Sequence, residues 1–104
     1  MPDEFAVSFT ALARQDLLGI SDAASREVIV RQAMKLKAEP LKQGKALTGD
    51  LKGYRSVRAA GQRYRVIYQV AVSQGAVVVV VVGIRKEGSR KDAYQVASKR
   101  LGSK

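Results

Sequence analysis

The sequence predicts one α+β domain spanning residues 1–104: elements in the order β-α-α-β-β-β-α, a mainly antiparallel sheet, and helices packed on one of its faces. Three observations carry that prediction. The run Ala76-Val77-Val78-Val79-Val80-Val81-Val82-Gly83 is apolar throughout, as a strand covered on both sides at the centre of a sheet would be. Ahead of it, residues 54–60 and 62–70 are two strand patterns joined by a short turn near Gly61, a hairpin signature. Helical patterns fill the first third of the chain and its end instead of alternating with strands, which favours α+β over α/β. At 104 residues, 46% hydrophobic and 27% charged, the chain has the size of one domain and enough apolar residues for a packed core.

Taken in order, residues 4–9 alternate, with Phe5, Val7 and Phe9 on one face of a short strand. Thr10 can cap a helix over 11–18 that Gly19 stops. Ser21 or Asp22 caps a second helix, whose apolar residues Val28, Ile29, Ala33, Met34 and Leu36 recur at helical spacing before Pro40. Residues 39–53, rich in Lys, Gly and Leu, read as a linker, and Ser73-Gln74-Gly75 as the turn before the valine strand. Ser89 or Arg90 opens a last helix running to about Leu101.

Charge is distributed unevenly. The net +10 breaks down as −2 over residues 1–34, +7 over 35–65, zero over 66–84 and +5 over 85–104. Positive charge therefore brackets the hairpin region and favours an anionic, phosphate-rich partner on one face, with nucleic acid the leading candidate. No cysteine is present, which excludes a disulfide scaffold and a cysteine zinc site. With no histidine either, and nine scattered carboxylates, no metal site or cofactor is expected. The N-terminus lacks a basic-then-apolar leader and the valine run is too short to span a bilayer, so the expectation is a cytoplasmic protein without a membrane partner.

Strand alternation puts Tyr64, Val66, Tyr68 and Val70 on one face and Arg63, Arg65, Ile67 and Gln69 on the other. If helices cover the Tyr/Val face, Arg65 emerges on an open face beside Arg63. Arg58 shares a face with Tyr54 and Ser56, and Arg55 with Val57. These arginines, followed by Arg85, Lys86, Arg90 and Lys91, would line a cationic groove; the competing reading is a solvated basic face. Tyr64 and Tyr68 read as core aromatics, and the spacing leaves Tyr94 free either to pack or to face the groove.

Three segments bear a family likeness: Leu47-Thr48-Gly49-Asp50-Leu51-Lys52-Gly53-Tyr54-Arg55, Gly61-Gln62-Arg63-Tyr64-Arg65-Val66-Ile67-Tyr68, and Gly83-Ile84-Arg85 with Asp92-Ala93-Tyr94 downstream. With these motifs and this element order the chain resembles the RelE/ParE toxin superfamily over nearly its whole length. The resemblance implies the toxin of a type II toxin–antitoxin system. RelE-like members are implied to cut messenger RNA on the ribosome without metal, by attack of a ribose 2′-hydroxyl on the adjacent phosphate. It carries a catalytic role to Arg65, Arg85 and Tyr94, and RNA contacts to the basic positions Arg55 and Arg58, with Lys52 just ahead. ParE-like members, which poison DNA gyrase, usually lack this full arginine–tyrosine set, so the branch expected is RelE-like. The implied partners are a cognate antitoxin, the ribosome and mRNA.

Arginine keeps its proton and serves badly as a base, but its fork suits a phosphate whose charge grows in the transition state. Arg65 is therefore assigned to the scissile phosphate, and Arg85 to the phosphate or the leaving oxygen. Tyr94 is the candidate base, with stacking on a nucleobase as its alternative role; Lys52 competes as base if desolvated. A gyrase inhibitor and a non-catalytic RNA- or ribosome-binding module are the alternative functions.

Overall fold

A computed structural model describes residues 4–102. Five strands lie in the order β1-β5-β4-β3-β2, where β1 is Ala6–Phe9, β2 Lys45–Ala46, β3 Arg55–Ala59, β4 Tyr64–Ala71 and β5 Ala76–Ile84. All neighbours are antiparallel except β1 and β5, which run parallel from Ala6↔Ala76 to Phe9↔Val79. Helices α1 (Ala11–Leu18), α2 (Ala23–Met34) and α3 (Ala93–Leu101) complete the α+β domain in the expected order. Thr10 caps α1, its Oγ1 accepting the Ala13 N–H at 3.0 Å.

The helices do not all pack on one face, and this corrects the sequence expectation. α1 and α2 cover the face carrying Val66, Tyr68, Val77, Val79 and Val82, through Ala13, Ile29 and Ala33. α3 covers part of the opposite face, burying Ala93 and Ala97 against Ile67, Val80 and Val81. An unbroken apolar strand is what such a two-sided position requires, since each face of β5 is covered. On α2 the buried stripe is narrower than its periodicity suggests: Ile29 and Ala33 are fully buried, whereas Val28 and Met34 are 37% and 38% exposed.

Residues 39–53 are not a linker. They hold 3₁₀ turns at Pro40–Lys42 and Gly49–Leu51 and, between them, the two-residue edge strand β2, paired with β3 through Lys45↔Ser56 and Ala46↔Arg55. Side chains of the opposite face anchor the stretch: the buried Tyr68 hydroxyl donates to the carbonyls of Pro40 and Gln43, both at 2.9 Å. Arg55 Nη2 reaches the same Gln43 carbonyl at 2.9 Å. Gly44 has φ of 61°, and a Cβ there would lie 2.2 Å from the Ser56 carbonyl oxygen, so no other residue fits that approach.

A β-bulge controls where the C-terminal half of β5 points. Ile67 pairs with Val81 but Tyr68 with Val79, which leaves Val80 as the extra residue. Val80 and Val81 thus both face α3, and alternation beyond them is inverted relative to Val77 and Val79. Gly83 then lies under α3, where a Cβ would meet the Ala93 Cα at 3.1 Å. Arg85 follows on that same side. Without the bulge, the period of two would send Arg85 towards α1 and α2.

The end of β5 outruns β1, leaving a sheet edge that side chains satisfy. Asp16 Oδ2 accepts the Val82 N–H at 3.0 Å, and Arg100 Nη1 donates to the Val80 carbonyl at 2.9 Å. The two side chains also pair bidentately with each other at 2.9 and 3.0 Å, tying α1 to the end of α3.

Candidate functional site

Where α3 leaves its face of the sheet uncovered, a cleft of about 340 Å³ opens, lined by Gly44, Lys45, Ser56, Val57, Arg58, Arg65 and Tyr94. Arg58 and Arg65 are directly paired across β3 and β4, so two guanidinium-bearing side chains stand side by side on one face. The Arg65 guanidinium folds back on the turn before β4: its Nη1 donates to the carbonyls of Gln62 at 2.7 Å and Tyr64 at 3.2 Å. That turn is built from three consecutive left-handed residues, Ala60 (φ 51°), Gly61 (φ 63°) and Gln62 (φ 81°), two of them not glycine.

Tyr94 enters the cleft from the first turn of α3. Its hydroxyl and the Ser56 Oγ are 2.8 Å apart, and the Arg85 guanidinium lies over its ring, 5.1 Å from the centroid. The α3 cap is Asp92, in place of the expected Ser89 or Arg90: its Oδ2 accepts the Tyr94 N–H at 3.0 Å. Its Oδ1 accepts from Arg85 Nη1 and from the Lys86 N–H, both at 2.6 Å. Asp92 is 3% exposed. Burial would raise its carboxyl pKa, but the Arg85 hydrogen bond and the two backbone N–H donors outweigh that and hold it below the ordinary carboxylate value. The same pairing pushes the Arg85 guanidinium further above its already high value. Arg85 is thus a fully charged group shared between Asp92 and the Tyr94 ring.

Of the residues expected to act, the structure brings Arg58, Arg65 and Tyr94 into one cleft, with Arg85 behind Tyr94. The others lie elsewhere. Arg55 points to the α1/α2 face and is spent on the Gln43 carbonyl. Arg63 precedes β4 and lies over the Tyr64 ring, 5.9 Å from its centroid, not beside Arg65 in an open groove. Lys52 is exposed and outside the cleft, so it lacks the desolvation its role as base required. Lys86, Arg90 and Lys91 are exposed on the approach to α3, with Arg90 beside Gln95, Ser98 and Lys99 on its outer side. Sequence reasoning missed Lys45 and Ser56. Lys45 sits in the stretch read as a linker, and Ser56 carried no signal beyond its shared face with Arg58.

A five-stranded sheet with helices on both faces and a cationic cleft where α3 leaves its face uncovered defines the class: a small basic α+β domain. The sequence model of the ParE toxin of the type II toxin–antitoxin system parDE matches residues 7–88. The chain belongs to this family, within the RelE/ParE superfamily of type II toxins. Among solved structures it is similar to the Mycobacterium tuberculosis toxin–antitoxin complex RelBE2, with 33% identity over 80% of this chain and 93% of the other and a TM-score of 0.72. It also shares the fold of a free Escherichia coli RelE variant (22% identity, 94% and 98% covered, TM-score 0.73). A YoeB/ParE toxin from Agrobacterium tumefaciens has it too (23% identity, 79% and 100% covered, TM-score 0.66). A search of curated protein sequences finds no match. Among the described residues no helix is long and apolar enough to cross a membrane.

Proposed function

We propose that this toxin is a ribosome-dependent mRNA endonuclease of the cytoplasm, restrained by a cognate antitoxin. The observation that carries the reading is the convergence of Arg58, Arg65 and Tyr94 on one open cleft, with no carboxylate among the lining residues. An RNA strand laid there would place a phosphodiester against the paired guanidinium groups of Arg58 and Arg65, where bidentate contacts strengthen as negative charge develops. The ribose 2′-oxygen forms a bond to phosphorus as the bond to the 5′-oxygen breaks. The 2′-hydroxyl proton passes to the base, and the departing 5′-oxygen takes a proton. The products are a 2′,3′-cyclic phosphate and a 5′-hydroxyl. Tyr94 is the group for the base role, since every other titratable side chain lining the cleft is a cation. Lys45 supplies the acid better than Arg85 does, because an ammonium releases a proton that a guanidinium retains.

Two observations favour a second reading, a binding toxin of the gyrase-inhibiting kind. The matching family model is ParE, and Arg85 is already engaged by Asp92. Induction in growing cells separates the two. Primer extension that finds new mRNA ends within translated codons supports the endonuclease; DNA breaks with intact mRNA support gyrase inhibition. Ribosome binding with neither outcome would leave a non-catalytic module. A net charge of +10 also calls for an acidic antitoxin segment on the basic face, and its binding should weaken as salt screens those charges.

A further inference from the structure

We infer that Ser56 is the positioning residue for Tyr94, fixing its hydroxyl at the floor of the cleft, and this role in cleavage rests on the endonuclease reading above. Ser56 is 3% exposed, and among the described residues its side chain pairs with the Tyr94 hydroxyl alone, at 2.8 Å and across 38 residues of sequence. The two belong to different layers, Ser56 to β3 and Tyr94 to α3.

The serine is the fixed end of the pair. Its backbone lies inside the sheet, between Lys45 of β2 and Ile67 of β4, and Gly44 closes over its carbonyl more tightly than a Cβ would allow. Ser56 therefore cannot shift without moving three strands. Tyr94 is the end that needs fixing. Asp92 holds its backbone N–H and Arg85 covers one ring face, but neither contact sets the position of the phenolic oxygen. A phenol swings its oxygen over several ångströms for modest changes at χ1, and proton transfer needs hydrogen-bond reach of the acceptor. The Ser56 hydroxyl both donates and accepts, so it can hold the Tyr94 oxygen in either protonation state. A lysine, arginine or carboxylate at this position would place a charge under the hydroxyl. Serine adds none.

The test uses Ser56→Ala, Ser56→Thr and Tyr94→Phe in the full chain. Two readouts are taken: the ¹³Cζ resonance of Tyr94, which reports the hydroxyl's surroundings without any reaction, and single-turnover cleavage of ribosome-bound mRNA. Expected is a shifted Tyr94 resonance in Ser56→Ala with the other three tyrosines unmoved, reversed in Ser56→Thr. The cleavage rate should fall about 10–100-fold in Ser56→Ala with the half-saturating concentration within twofold, recover in Ser56→Thr, and fall no further when Ser56→Ala is added to Tyr94→Phe. An unmoved Tyr94 resonance in folded Ser56→Ala overturns the inference, as does an undiminished rate beside a moved resonance. If wild-type protein cuts no ribosome-bound mRNA while the resonance still moves, the endonuclease reading fails and Ser56 stands as the residue that positions Tyr94.

Discussion

Asp92 concentrates more of the site's architecture than any other side chain, and substituting it tests the account of how α3 is held. Asp92→Asn keeps the shape and a neutral acceptor but removes the charge. Asp92→Ala removes the cap as well. A hydrogen bond to a charged group contributes about 1.5–3 kcal/mol and a neutral one about 0.5–1.5. The pair with Arg85 is discounted because that side chain remains 29% exposed. Asp92→Asn should then cost about 1–2 kcal/mol. Asp92→Ala adds the loss of an N-cap, about 1 kcal/mol, for about 3 in all. In a domain of this size each kcal/mol moves Tm by about 4–8 °C, so Asp92→Ala should melt at least 10 °C below wild type. The pH dependence has a definite sign. The folded Asp92 carboxyl titrates below its ordinary value, so its contribution is complete above about pH 4 and fades as pH falls through the depressed folded pKa. The gap between thermal melts of wild type and Asp92→Asn should therefore narrow as pH falls from 7 to 2.5. Equal Tm values at pH 7, or a gap no smaller at pH 2.5 than at pH 7, would refute the reasoning.

Arg65→Ala should reduce cleavage of ribosome-bound mRNA by on the order of 10²–10³ with Tm within about 4 °C of wild type, since its hydrogen bonds are to a turn on the surface; normal toxicity of the folded variant sinks its role. Asp16→Ala and Arg100→Ala should couple in a double-mutant cycle by more than about 1 kcal/mol, because each leaves the other half-buried and a β5 edge group unpaired; additive denaturation energies would count against the edge-capping role. Gly44→Ala should destabilise the fold by well over 1 kcal/mol, through the clash with Ser56 and the positive φ, and a melt unchanged from wild type would show that the β2 approach is looser than described.

Much of this architecture was legible in residue patterns. Thr10 and Gly19 bounded α1, the Tyr-Arg-Val-Ile-Tyr alternation sorted β4 into two faces, and the valine run marked the strand that lies between β1 and β4. The same run also held the signal that was misread. A strand apolar on both faces needs cover on both faces, so helices on one side alone contradict it, and α3 supplies the missing layer. The bulge at Val80 left no trace because a string of identical residues hides a one-residue shift in register. Arg55, Arg63 and Lys52 looked equivalent to Arg58 and Arg65 as charges. What separates them is which face or turn the backbone gives each one, and the Gln43 carbonyl that captures Arg55 lies twelve residues away in a stretch without periodicity.

The bulge and the cap together explain how one sheet face serves both as core and as site. Val80 and Val81 give α3 an apolar seat, and the inverted alternation after them sends Arg85 to the same side as Arg65. Gly83 lets Ala93 approach closely enough for α3 to start directly above the strand end. Asp92 then joins Arg85, Lys86 and Tyr94 at that junction. Its single negative charge sits behind the cleft and not in it, so the lining keeps its cationic character while Arg85 is neutralised locally. The positive charges lining the cleft are those of Arg58, Arg65 and Lys45, and on the endonuclease reading their density rather than the chain's total of +10 would set how strongly a phosphate is drawn there.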